Sequence, residues 1–106
     1  MKILFVCTCN LNRSPTFEHY FKKNYPNHEV KSCGTCYGYP DRLSEKILDW
    51  ANVVYVMDYS HKLFIQKQFP KKVWKVKVIG ISDEYDPDEE RLIELIDYWI
   101  KDSGFR

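Results

Sequence analysis

The chain of 106 residues has no apolar run long enough to cross a bilayer or to act as a secretory leader, since "MKILFVC" turns polar at once afterwards. It has almost no net charge: sixteen Lys and Arg against fifteen Asp and Glu leave +1, which gives no reason to expect attraction to nucleic acid or to a membrane. Repeats, linkers and low-complexity tracts are also missing, and the length suits one domain over residues 1–106 rather than two cores. These absences predict a cytoplasmic chain. In that reducing compartment Cys7, Cys9, Cys33 and Cys36 are expected as thiols, metal ligands or catalytic groups rather than structural disulfides.

What is present is apolar bulk, with eight tyrosines, six phenylalanines and three tryptophans, enough to fold without disulfides or metal. Apolar runs of strand length alternate with amphipathic stretches, the signature of βαβ units and a parallel sheet. Residues 2–6 read as a central strand. Pro15 then suits the first turn of a helix that Pro26 ends. "HEVKSC" reads as an edge strand because it alternates with polar residues, and "CGTCYGYPD" after it as a loop. Ser44 is placed to cap a short helix, "NVVYVM" reads as a buried strand, and Asp58 is placed to cap the next helix, which runs up to Pro70. A fourth strand is predicted over residues 73–79. In the last helix Leu92, Leu95, Ile96 and Trp99 form a core-facing stripe, with Asp86 as predicted cap, Pro87 as first helical residue and Glu89 three after the cap.

The chemistry concentrates in "VCTCNLNRSP", between the first strand and the first helix. A loop entering a helix N-terminus aims backbone N–H groups inward and adds the helix dipole, which suits phosphate. Arg13 at its end supplies a planar fork of donors for two phosphate oxygens. Cys7 at its start then faces the phosphorus, and the donors that bind the anion also activate the nucleophile. Ser14 can hydrogen-bond the sulfur, and Asn10 suits a turn that needs positive φ.

The stretch "FVCTCNLNRSPTFE" resembles the low molecular weight protein tyrosine phosphatases, and "VKSCGT", "WANVVYVMD" and "ISDEYD" are similar to that family's later strand ends and acid loop. The resemblance implies Cys7 as nucleophile, Arg13 as phosphate-binding arginine, Ser14 as the serine beside the sulfur, and residues Thr8, Cys9, Asn10, Leu11, Asn12 and Arg13 as the phosphate cradle. It aligns Asp83-Glu84-Tyr85 with the family's Asp-Pro-Tyr, which makes Asp83 the general acid and Tyr85 a flank for an aromatic substrate. Asp86 stays as the alternative acid. Tyr37 and Tyr39 lie in a loop expected to border the site, as substrate wall or as packing. The C-x-x-N-x-N-R-S form is also similar to a serine phosphatase of the same superfamily that acts on the RNA polymerase II tail.

The expectation is therefore an α/β protein, a three-layer α/β/α sandwich with a four-stranded parallel sheet in the order 2-1-3-4. It would act as a monomer on a phosphorylated protein or small phosphomonoester, with neither cofactor nor metal. Phosphotyrosine is the expected substrate; phosphoserine, a small molecule, or arsenate reduction on the same scaffold are the alternatives. Arsenate-reducing relatives use a distal cysteine pair, and no cysteine follows Cys36 here. A zinc site on Cys7, Cys9, Cys33 and Cys36 is the other rival, disfavoured because Cys7-x-Cys9 is tighter than the usual knuckle and leaves Arg13 without a role. Cys9 or Cys36 could also resolve an oxidised Cys7. His19 and His61 are expected as surface or capping groups.

Overall fold

The computed structural model describes residues 1–9, 13–36, 42–81 and 89–103. Its elements run β1 (Lys2–Cys7), α1 (Arg13–Asn24), β2 (Glu29–Gly34), α2 (Glu45–Trp50), β3 (Val53–Val56), α3 (Tyr59–Gln68), a 3-10 turn (Pro70–Lys75), β4 (Val76–Val78) and α4 (Glu90–Ser103). The four strands form one parallel sheet in the order β2-β1-β3-β4, as expected.

From Ile3 to Cys7, β1 is apolar and buried because it is covered on both faces. Ile3, Phe5 and Cys7 point into a core shared with Phe17 and Phe21 of α1 and Leu92, Ile96 and Ile100 of α4. Leu4 and Val6 point the other way, into a core closed by Leu48 of α2 and Ile65 of α3. The first core is dominated by rings: Phe5 lies 4.9 Å from Phe17 and 5.1 Å from Phe21, and Trp99 stands edge-on to Tyr55 at 4.9 Å. β2 is an edge strand with alternating exposure, which matches its polar alternation.

Local capping follows the sequence in two places. Ser44 Oγ accepts the Ile47 N–H at the start of α2, and Asp58 caps α3 by accepting the Ser60 N–H. Two element starts differ from expectation. β4 begins at Val76 rather than residue 73, because Pro70, with its fixed φ, opens a 3-10 turn instead. Lys72 pairs with Asp49 and Lys75 donates to the Ala51 carbonyl at 2.8 Å, which fastens that turn to the end of α2. α4 begins at Glu90, and the Ile93 N–H donates to the Glu89 carbonyl at 3.0 Å, so Glu89 sits at the cap rather than three residues inside it. Asp86 and Pro87 lie outside the described residues. Among the described residues no helix is long and apolar enough to cross a membrane.

Candidate functional site

In a sheet of this order the chain leaves β1 for β2 on one side and returns to β3 on the other. A crevice therefore opens at the carboxyl ends of β1 and β3. The predicted site residues that are described meet there. Cys7, the last residue of β1, is only 3% exposed, and its Sγ lies 2.9 Å from Ser14 Oγ in the first turn of α1. Ser14 Oγ also lies 3.4 Å from the Cys33 carbonyl. Its single proton can go to either partner, so the hydroxyl can accept from a thiol while bonded to Cys33, or turn and donate to a thiolate.

Arg13, the first residue of α1, is buried at 3% exposure and fixed by strand ends distant in sequence. Its Nη1 donates to the Ile81 carbonyl at 2.8 Å and to Asp58 Oδ2 at 3.3 Å, and its Nη2 reaches Thr8 Oγ1 at 3.5 Å. One guanidinium thus joins the exits of β1, β3 and β4. Such a buried cation has to be paired, and Asp58 is its charged partner.

Asp58 and His61 are the residues that sequence reasoning under-read. Asp58 was expected as a helix cap and is one, but its other oxygen binds Arg13. His61 was expected as a surface or capping group; it caps, yet it is buried at 2% exposure. Its Nδ1 accepts the Asp58 N–H at 3.1 Å and its Nε2 lies 3.0 Å from Thr8 Oγ1. The missed signal is topological: a residue just after the strand that neighbours β1 in a 2-1-3-4 sheet lies on the crevice.

Burial pushes the His61 imidazole below its ordinary pKa, Asp58 raises it again and the nearby Arg13 charge depresses it further, with burial the larger influence. His61 is therefore neutral at neutral pH, and its approach to Asp58 Oδ1 at 3.7 Å is no ion pair there. For Asp58, partial burial pushes the carboxyl up, but hydrogen bonds from Ser60, the charge of His61 when protonated and the Arg13 bond together hold it below the usual carboxylate value. Asp58 is thus a poor proton donor at neutral pH.

The cysteines correct the expectation of free thiols. Cys9 and Cys36 form a disulfide, and Cys7 and Cys33 are free and buried. The pairing was not foreseen because it depends on tertiary contacts: the Thr35 N–H donates to the Cys7 carbonyl at 3.1 Å and the Cys36 N–H to the Thr8 carbonyl at 2.8 Å, which lays the two loops side by side. The bond leaves neither Cys9 nor Cys36 as a thiol for zinc or for resolving Cys7. Asn10, Leu11, Asn12, Tyr37, Tyr39, Asp83 and Tyr85 lie outside the described residues.

No family model matches the chain. The low molecular weight protein-tyrosine-phosphatase PtpB of Staphylococcus aureus is 32% identical over 90 residues, in a match that covers 65% of this chain and 65% of PtpB. The chain therefore spans just under two thirds of that relative. Vibrio vulnificus Wzb, solved with benzylphosphonate, superposes with a TM-score of 0.81 over 97% of this chain and 96% of its own at 21% identity, a likeness of fold. The YwlE arginine phosphatase from Geobacillus stearothermophilus gives 0.74 at 25% identity over 97% and 92% of the two chains. A low molecular weight protein tyrosine phosphatase from T. tengcongensis gives 0.75 at 25% identity over 93% and 92%. The sheet order, the cluster of Cys7, Arg13 and Ser14 at its crevice and these relatives agree: in fold and in sequence the chain is similar to the low molecular weight protein tyrosine phosphatases.

Proposed function

We propose that the protein hydrolyses phosphomonoesters through a phosphocysteine at Cys7, with phosphotyrosine in proteins as its preferred substrate. The observation that carries this reading is the buried pairing of Cys7 Sγ with Ser14 Oγ at 2.9 Å, with an Arg13 guanidinium fixed at the same carboxyl edge of the sheet. In the first step Cys7 sulfur attacks phosphorus, an S–P bond forms and the bond to the leaving oxygen breaks, with Asp83 protonating that oxygen. In the second step the Asp83 carboxylate takes a proton from water, whose oxygen attacks phosphorus and releases inorganic phosphate and the thiolate.

Arg13 stabilises the equatorial oxygens in both steps. Because its Nη1 is committed to Ile81 and Asp58, the proposal assigns the Nε–Nη2 edge to the phosphoryl group. The backbone from Thr8 to Arg13 completes the cradle, Ser14 donates to the sulfur, and Tyr37, Tyr39 and Tyr85 wall an aromatic substrate. The Arg13 bond to the Ile81 carbonyl, two residues before Asp83, supports coupling of the phosphate site to the acid loop. Asp58 is set aside as the acid because its carboxyl is held ionised. The reaction so written runs on the chain's own side chains and backbone, in a cytoplasmic monomer.

The test is phosphate release from phosphotyrosine, phosphoserine and phosphoarginine peptides and from a small aryl phosphate, with chelator present and Cys7→Ser as control. The phosphoarginine peptide is included because YwlE is an arginine phosphatase. Cys7-dependent turnover fastest on the aryl esters is the expected result. Turnover confined to phosphoserine or phosphoarginine would move the substrate, and no turnover on any of them would overturn the reading.

A further inference from the structure

His61 has no part in the reaction as written, yet it is buried against the phosphate loop, and its two ring nitrogens are spoken for by different elements. Nδ1 accepts the Asp58 N–H at the start of α3, so it carries no proton. The proton of the neutral ring must then be on Nε2, which donates it to Thr8 Oγ1 at 3.0 Å. The cap of a helix on one side of the crevice thereby fixes a tautomer that acts on the other side. Arg13 Nη2 approaches the same oxygen at 3.5 Å, at the outer limit of a hydrogen bond. With both lone pairs of Thr8 Oγ1 facing donors, the hydroxyl's own proton is the part left to act.

We propose that His61 is a positioning residue that holds the Thr8 hydroxyl as a side-chain donor to the phosphoryl oxygens of the substrate. Thr8 directly follows Cys7, so this donor stands at the head of the cradle, beyond what the backbone N–H groups supply. The inference rests on the phosphatase reading, which places the phosphoryl group against residues 8–13.

His61→Asn separates the two duties of the ring. Asn Oδ1 takes the position of Nδ1 and keeps the cap on the Asp58 N–H, whereas its Nδ2 falls short of Thr8. Thr8→Val removes the hydroxyl and keeps the branched shape. Each single variant is expected to weaken inorganic phosphate binding, measured by equilibrium dialysis, by about ten- to hundredfold, the worth of one hydrogen bond to a charged group. The double variant is expected to be no weaker than either, because both changes remove the same donor. On the aryl phosphate both variants should raise KM by that factor, with a smaller change in kcat. His61→Gln, an ordinary capping-box residue with a longer reach, should recover part of the loss.

Losses that multiply in the double variant, or a His61→Asn variant that binds phosphate as the wild type does, would overturn the proposal. Phosphate dialysis reads the positioning without turnover. An inactive wild type that still shows the non-additive pattern would count against the phosphatase reading alone. If His61→Asn fails to fold, Thr8→Val with phosphate binding unchanged refutes the proposal by itself.

Discussion

Replacing Arg13 by lysine keeps the positive charge and removes the fork, which makes it a sharp probe of the phosphate site. The guanidinium is buried, with Nη1 satisfied by the Ile81 carbonyl at 2.8 Å and by Asp58 at 3.3 Å. A lysine ammonium is a point donor on a flexible stem. It can serve the Ile81 carbonyl or a phosphoryl oxygen, but it cannot serve both and also present two parallel donors to the anion. Two lost hydrogen bonds to a charged ligand at about 1.5–3 kcal/mol each amount to about 3–6 kcal/mol, or roughly 10²- to 10⁴-fold in kcat/KM. The pair with Asp58 adds little to this sum, because that carboxylate is 44% exposed and screened. The assay is aryl phosphate hydrolysis by variant and wild type, with circular dichroism to confirm the fold. A loss smaller than tenfold in a folded Arg13→Lys protein would refute the fork argument, since charge alone would then suffice.

Other perturbations test neighbouring parts of the account. Ser14→Ala removes the hydroxyl 2.9 Å from Cys7 Sγ and should lower kcat by about tenfold, from one hydrogen bond to a charged sulfur; stopped-flow on an aryl phosphate would read it, and an unchanged kcat would exclude Ser14 from the chemistry. For His61, the folded pKa lies below its ordinary value of about 6.5, so as pH falls through that value the unfolded chain takes up the proton first. Stability should therefore fall from about pH 6.5 downward and level off below the folded pKa, with a further loss as Asp58 protonates in stronger acid. Urea midpoints against pH would show it, and His61→Asn should flatten the first decline. Reducing Cys9–Cys36, which are separated by 27 residues, should cost on the order of 3 kcal/mol through the unfolded chain. Melting with and without a dithiol reductant, alongside Cys36→Ser, measures it, and identical melting curves would contradict it. Trp99→Ala empties the edge-on contacts with Phe17 and Tyr55 and should destabilise by about 3–5 kcal/mol in urea.

Much of this fold is legible in the sequence because its signals are local. A central strand buried on both faces has to be apolar where it is covered, and "ILFV", residues 3–6, is; α4 buries one stripe, and Leu92 and Ile96 sit at its centre with Leu95 and Trp99 packed alongside. Ser44 and Asp58 cap the helices they precede because capping depends only on the residues that follow. The fourth strand was drawn too long because alternation around Val73 outweighed Pro70, whose fixed φ begins a 3-10 turn and leaves Trp74 on the surface. The Cys7, Arg13 and Ser14 cluster was readable because all three fall within one short stretch of sequence, from the end of β1 to the start of α1. The partners of Arg13 were not, since Asp58 and Ile81 lie 45 and 68 residues away and reach it only through the strand order. The burial of His61 and the pairing of Cys9 with Cys36 were hidden for the same reason.

The central claim is a covalent phosphoenzyme on Cys7. Mixing the protein with an excess of aryl phosphate, quenching in acid within milliseconds and mapping the peptides by mass spectrometry tests it directly. The account predicts a phosphoryl group on the peptide that carries Cys7, lost in Cys7→Ser and accumulating in Asp83→Asn, where hydrolysis of the intermediate lacks its base. Turnover with no phosphoryl group on that peptide, or with the group on another residue, would contradict it.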